Sequence, residues 1–269
     1  MWMWVFFRGI IMNPKHKRIL IIIAMIFVTL ISYKYMSSPT IDTPAQPGQQ
    51  TELMSPIPVE HNVPATDDTP WDQRLENVVQ IYSKDKDGNI VAVGTGWFVK
   101  DHAGLIMTDA HVLAKDSSTF QINLKDGRTY VTNNILWSSE KDDLAKLQLQ
   151  TSDKLPDGFA ICTEKPQIAE DVWLIGNPFD MPWSVHKGII ASPSRSNVPE
   201  FKRLGFNSDY MEIDIVELPG MSGGPFITKD DCVIGMASFL YAVQVDKNQS
   251  MTLSFASKTN KILDALNAK

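Results

Sequence analysis

Cysteine is nearly missing from this chain of 269 residues: Cys162 and Cys232 are the only two. That excludes a disulfide-built scaffold and a zinc site made of cysteines, and leaves room for one bridge, which the sequence alone does not decide. Cofactor and metal signatures are missing as well. No G-x-G-x-x-G, P-loop or H-E-x-x-H occurs, so no cofactor and no metal is expected. No segment repeats with a period of about 20–50 residues, which argues against solenoids and propellers. Basic charge is scarce beyond the first 36 residues. Arg8, Lys15, Lys17, Arg18 and Lys34 lie there with no acid, so the remaining 20 of the 25 basic residues face all 31 acidic ones, a net of −11. An acidic body without clustered Lys and Arg argues against nucleic acid as a partner.

One long apolar run is present. In "KHKRILIIIAMIFVTLISYKY", Ile19 to Ile31 is apolar apart from Thr29, and the stretch extends to Met36 if Lys34 snorkels. A straight helix needs about 20 residues to cross a bilayer, with about 17 as the lower limit. Lys15, Lys17 and Arg18 precede the run and keep the N-terminus cytoplasmic by the positive-inside rule. A cleaved signal peptide would share these features, but no small-x-small cleavage site follows. Residues 1–36 are therefore expected to be a membrane anchor or signal, with an uncleaved transmembrane helix favoured. Residues 37–70 hold seven of the sixteen prolines and few large apolar side chains. Such a segment cannot offset its ordering entropy and reads as a disordered linker.

Residues 71–269 form the body and read as all-β. Short β-type runs alternate with turn signals: "NIVAVGTGWFVK", "LIMTDAHV", "TFQINL", "TYVTNNILW", "LAKLQLQ", "DVWLIGNP", "VHKGIIAS", "MEIDIVEL", "CVIGMASF" and "MTLSFAS". "LAKLQLQ" alternates apolar and polar residues with a period of two. Helical periodicity shows only at the end, in "SKTNKILDALNAK". Ten or more short strands in about 200 residues predict a sandwich or paired barrels.

Three of the five histidines, His102, His111 and His186, lie in this body. His111 ends an apolar strand in "TDAHVLA", Asp143 precedes another in "KDDLAKLQL", and Ser222 sits among three glycines in "LPGMSGGP". Taken alone, His111 reads sooner as a structural histidine and Asp143 as a strand-end cap or turn residue, while Ser222 reads evenly as turn or nucleophile. Together they supply a hydroxyl, an imidazole and a carboxylate, the three groups that acyl transfer by serine requires. The glycines suit backbone amides that must point at a developing oxyanion.

These motifs in this order, "GTGWFV…TDAHVL", "DDLAKLQL", "IGNPFD…SVHKGIIASP" and "GMSGGP", resemble the trypsin-like serine proteases, closest to the protease domain of the HtrA/Deg group. The resemblance covers roughly Glu76 to Leu266. It implies two six-stranded antiparallel β-barrels of the chymotrypsin kind, followed by a C-terminal helix. It implies a serine endopeptidase with a protein or peptide substrate, its catalytic domain periplasmic or otherwise extracytoplasmic. His111 would be the general base, Asp143 its orienting acid with Asp142 as the alternative, and Ser222 the nucleophile. The amides of Gly220 and Ser222 would form the oxyanion hole. Val216 would lie at the base of the specificity pocket and Leu240 and Leu253 along its walls, so cleavage would follow small or medium apolar residues. HtrA/Deg proteins tend to form trimers, so the resemblance implies a homo-oligomer.

Two departures stand out. Many HtrA/Deg proteins carry a C-terminal peptide-binding PDZ domain, and only a short helix follows Ala256 here. Met221 stands where digestive relatives have an aspartate and the HtrA/Deg group an asparagine, so it cannot pair with a newly cut N-terminus. The competing reading is a catalytically silent peptide-binding or chaperone-like module on the same fold.

Overall fold

The computed structural model describes residues 70–196, 198, 199, 201, 209–244 and 250–268. The expected anchor and all but the last residue of the expected linker lie outside the described residues. Among the described residues no helix is long and apolar enough to cross a membrane.

The first sheet contains β1 (Val78–Lys84), β2 (Ile90–Phe98), β3 (Leu105–Thr108), β4 (Thr119–Asn123), β5 (Thr129–Thr132), β6 (Ile135–Ser139) and β7 (Leu144–Gln148). Its order is β5-β4-β1-β2-β3-β7-β6, with every neighbouring pair antiparallel. The second contains β8 (Ala160–Ile161), β9 (Asp171–Gly176), β10 (Ser184–Arg195), β11 (Tyr210–Asp214), β12 (Pro225–Ile227), β13 (Cys232–Gln244) and β14 (Ser250–Lys258). Here β12 pairs with both β9 and β13, which closes a six-stranded ring, and β8 adds outside it, parallel to β13. Full closure leaves that ring without an open edge.

The expectation of two six-stranded barrels needs one correction, because the first sheet has seven strands. "TYVTNNILW" reads as one returning strand, but the chain breaks at Asn133 and Asn134. The Asn134 amide donates to Thr132 Oγ1 at 3.1 Å and the Ile135 amide to the Asn133 carbonyl at 3.1 Å. Local bonds of this kind compete with the ladder. One half then pairs with β4 and the other with β7.

Apolar packing sets the two sheets against each other. Val79, Ile81, Phe98, Ile106 and Ile122 fill the first barrel, and Val172, Leu174, Ile213, Met221 and Phe226 fill the second. A third cluster joins Trp97, Met107 and Leu144 of the first barrel to Ile175, Ile227 and Met236 of the second. Burying such side chains contributes about 1.5–3 kcal/mol each.

Two helices cover the seam. α1 (Trp71–Glu76) escaped the sequence reading because six residues carry no helical period. Its Arg74 pairs with Asp231 across to the second barrel and lies 4.6 Å from the Trp71 ring centroid. α2 (Thr259–Asn267) buries Ile262 and Ala265 as expected for the C-terminal helix. It also explains an exception in β7. Alternation predicts a solvated Lys146, yet that residue is buried. Its ammonium donates to the carbonyls of Leu266 and Ala268 at 2.9 and 2.6 Å, satisfying groups that a helix end leaves open. Cys162 and Cys232 are joined in a disulfide, with Cα atoms 5.0 Å apart.

Candidate active site

His111 lies in a single 3-10 turn, Ala110–Val112, that ends β3. Asp143 immediately precedes β7, in a turn where its own φ is +54°, a left-handed conformation uncommon for a side-chain-bearing residue. The positions of these turns bring the two side chains together. The His111 backbone N–H donates to Asp143 Oδ1 at 3.0 Å, and Nδ1 of the ring lies 2.8 Å from Asp143 Oδ2. The carboxylate therefore holds both the backbone and the ring, which favours the Nδ1–H tautomer and leaves Nε2 free to accept. Asp142, the alternative acid, is engaged elsewhere: it accepts from Ser139 Oγ at 3.1 Å and lies 3.3 Å from Lys261 Nζ of α2. Partial desolvation of the half-exposed ring pushes the His111 pKa down, but the charge and hydrogen bond of Asp143, with the charge of Glu217, outweigh this and leave it above 6.5.

Ser222 belongs to the second barrel, in the loop before β12. Its neighbour Gly223 abuts the histidine turn so closely that a Cβ would lie 2.5 Å from Thr108 Oγ1 and 2.9 Å from the Asp109 amide. With φ at +80° besides, no other residue fits there without strain. This contact brings Ser222 beside the turn that carries His111. Among the described residues the Ser222 hydroxyl makes no hydrogen bond.

The loop from Pro219 to Ser222 is fixed by its carbonyls. The Pro219 carbonyl accepts from the Phe179 amide at 2.9 Å. Since the peptide is trans, the Gly220 N–H points the opposite way from that carbonyl. Thr95 of β2 then holds the next two groups. Its hydroxyl donates to the Gly220 carbonyl at 2.8 Å and its amide to the Ser222 carbonyl at 2.9 Å. Among the described residues neither the Gly220 nor the Ser222 amide is used within the fold, so both remain free to donate outward. Gly220 is obligatory: its φ is +98° and a Cβ would lie 2.4 Å from the Asn177 carbonyl. Met221, fully buried, points into the second barrel and packs on Gly176.

Asn177 and its turn brace Thr95. The Asn177 amide and Nδ2 donate to Thr95 Oγ1 at 3.1 and 3.0 Å, and Nδ2 also reaches the Val79 carbonyl at 3.1 Å. Phe179, Asp180 and Trp183 all have positive φ, which marks a strained turn held from outside. Asp180 Oδ1 accepts from Gln80 Nε2 at 2.7 Å and from the Tyr82 hydroxyl. Burial and the Asp180 carboxylate push the Tyr82 phenol up to about 12, so it stays a donor.

The residues expected at the specificity pocket are less closely grouped. Val216 is 64% exposed, and its carbonyl accepts from His186 Nδ1 at 2.6 Å. Leu240 pairs with Ser254 and Leu253 with Tyr241, which sets the two leucines on opposite faces of the β13–β14 ladder. Glu217, next to Val216, is buried and its Oε2 has no hydrogen-bond partner. Burial pushes its carboxyl from 4.5 up to about 7, against a smaller opposite pull from the Ser254 hydroxyl and His111. A raised carboxyl pKa means that folding favours the protonated form. The stabilising contribution is complete below pH 4.5 and is lost as the pH rises to about 7, by about 3 kcal/mol. Urea unfolding at pH 5 and pH 8 should therefore show Glu217→Gln gaining on the parent chain at the higher pH. An equal difference at both values would refute this.

Thr95, Asn177, His186, Glu217 and Asp109 were not singled out from the sequence. "GTG" and "GNP" offered a hint for the first two, since glycine-flanked polar residues mark close backbone approach.

A family profile described as trypsin-like peptidase domain matches residues 94–236. The chain belongs to that family. The match takes in His111, Asp143 and Ser222 together. Among trypsin-like relatives, "Serine protease HTRA1A" of Danio rerio is 33% identical over 176 residues, 62% of this chain and 35% of its own length. The "Probable periplasmic serine endoprotease DegP-like" of Hahella chejuensis is 31% identical over 176 residues, 65% of this chain and 35% of its own. The chain thus spans about a third of the length of the curated relatives it matches. Solved structures of the same fold include the HtrA-type protease AlgW with tripeptide, at TM-score 0.59 and 22% identity, covering 74% of this chain and 62% of that one. The serine endoprotease from Yersinia pestis gives TM-score 0.57 and 22% identity over 74% of this chain and 65% of that one.

Proposed function

We propose that this trypsin-like chain is a serine endopeptidase whose acyl-enzyme chemistry is carried by His111, Asp143 and Ser222. The observation that carries the reading is the double hold of Asp143 on His111, through Oδ1 to the backbone and Oδ2 to the ring. The Ser222 hydroxyl attacks the scissile carbonyl, His111 Nε2 takes its proton and later returns it to the leaving amine, and Asp143 stabilises the charged ring. The amides of Gly220 and Ser222 receive the oxyanion. Neither needs to break a bond within the fold first, and each such donor is worth about 10²–10³ in rate. A fluorophosphonate probe should label the chain and fail to label Ser222→Ala. Absence of labelling in the folded parent chain would favour a silent peptide-binding module.

Leu240 and Leu253 face opposite ways, so only one of them can share a pocket with Val216. Val216 and that leucine are uncharged and support a preference for small or medium apolar residues before the cut, since a Lys or Arg side chain would find no partner on them. Peptides ending in Val before the reporter group should be turned over faster than those ending in Lys or Arg. Turnover of the basic peptides alone would overturn the preference. The apolar run at 19–36 and the periplasmic DegP-like relatives support a membrane-anchored chain with its protease domain outside the cytoplasm. The same kinship supports a homo-oligomer.

A further inference from the structure

His111 is surrounded by more carboxyls than one imidazole can pair with. Asp109, two residues before it, is fully buried, and neither oxygen of its carboxyl has a hydrogen-bond partner. The neighbouring Gly223 amide donates to the Ala237 carbonyl at 3.0 Å and gives the Asp109 carboxyl only the smallest of the pulls on it. Asp109 Oδ2 lies 3.9 Å from His111 Nδ1, and Asp143 Oδ2 lies 2.8 Å from the same nitrogen. Asp109, His111 and Asp143 each offer a ligand atom, and these atoms lie within 4.8 Å of one another. Glu217 adds a third carboxyl near the ring. Among the described residues no Lys or Arg forms an ion pair with Asp109, Asp143 or Glu217. A buried carboxylate in this position needs a proton or a cation.

We propose that Asp109, His111 Nδ1 and Asp143 form a binding site for a divalent transition-metal cation of the Zn²⁺ class, and that its occupation holds the protease inactive. One imidazole nitrogen and two carboxylate oxygens suit zinc better than magnesium or calcium, which prefer oxygen alone. With metal–ligand bonds of about 2.0–2.2 Å, tetrahedral ligand atoms stand roughly 3.3–3.6 Å apart. The 2.8 and 3.9 Å to Nδ1 bracket that spacing, and with all three atoms within 4.8 Å, side-chain shifts can bring them to it. The His111 side chain is 51% exposed, which gives an ion access from solvent, and water fills the fourth position.

The consequence for catalysis follows from the two ring nitrogens. A metal on Nδ1 takes that lone pair, so the ring proton must move through solvent to Nε2. Nε2 then donates and can no longer accept the proton of Ser222. The inhibition rests on the serine-protease reading; the binding does not.

The test uses the detergent-solubilised full chain carrying Ser222→Ala, which keeps all three ligands, and ZnCl₂ as the probe. Histidine-labelled ¹⁵N spectra should show His111 with Nδ1 metal-bound and Nε2 protonated. Zinc on Nε2, or an unchanged His111 at millimolar zinc, would overturn the site. Calorimetry should show binding weakened at least about tenfold by adding Asp109→Asn. Equal affinity without Asp109 would overturn it as well. If Asp109→Asn does not fold, the spectra of the chain with Asp109 intact still decide. With the active chain, zinc should inhibit peptide hydrolysis reversibly with EDTA. The inhibition constant should rise about tenfold in Asp109→Asn, each variant read against its own uninhibited rate. Zinc binding at Nδ1 in a chain with no hydrolysis at all would uphold the site and refute the function.

Discussion

Ser222→Ala is expected to lower kcat by about 10⁶, with KM for a peptide substrate nearly unchanged. The substitution removes one oxygen atom and little else. Among the described residues the Ser222 hydroxyl bonds nothing in the fold, while the Ser222 carbonyl is held by the Thr95 amide at 2.9 Å and stays so with alanine. Gly220, Met221 and Gly223 keep their conformations. Both amides proposed for the oxyanion remain, and they account for the residual rate above that in water. Kinetics with a Val-ended peptide, alongside circular dichroism to show an intact fold, measure the effect. A loss under about tenfold would mean that Ser222 does not carry the reaction.

Asp143→Asn is expected to cost about 10⁴ in kcat. Both carboxylate oxygens accept from His111, one from its amide at 3.0 Å and one from its ring at 2.8 Å. An asparagine offers one acceptor and one NH₂. Either the backbone contact is lost, or the NH₂ faces Nδ1 and drives the ring proton to Nε2, where it blocks the base. The carboxylate charge disappears in both cases. Because Asp143 helps raise the His111 pKa above 6.5, kcat/KM of the parent chain should rise with pH along a limb centred above that value. In Asp143→Asn the limb should move to lower pH. Asp142→Asn should change the rate by a few-fold at most, since that carboxyl serves Ser139 and Lys261. A larger loss for Asp142 than for Asp143 would exchange their roles.

The sequence carried the strands of the body and the three chemical groups because both depend on local pattern. "LAKLQLQ" alternates as a strand must, and β7 forms there, at Leu144–Gln148. The order of the proposed triad, His111, Asp143, Ser222, and the glycines around Ser222 are visible without a structure. Which of two adjacent aspartates turns toward His111 is not. It depends on a φ of +54° at Asp143 and on Lys261, 119 residues beyond Asp142, being near enough to hold the other. Lys146 looked solvent-facing for the same reason: the helix that covers it is distant in sequence. Asp109, Glu217 and Thr95 gain their meaning from partners that only the meeting of the two barrels supplies. The break at Asn133 and Asn134 was local, but it was overlooked because β-type residues continue on both sides.

Thr95 joins chain order to chemistry. A polypeptide that emerges N-terminus first acquires Thr95, His111 and Asp143 well before Ser222. The loop around Ser222 gains its last two backbone holds when Thr95, waiting on the first barrel, receives the Gly220 and Ser222 carbonyls. A half-made chain therefore holds a base and an acid with nothing for them to activate, and one whose second barrel has not closed holds a serine whose amides are not aimed. The proposed proteolytic activity then begins as assembly finishes, and a chain still being made or moved across a membrane is spared its own nucleophile.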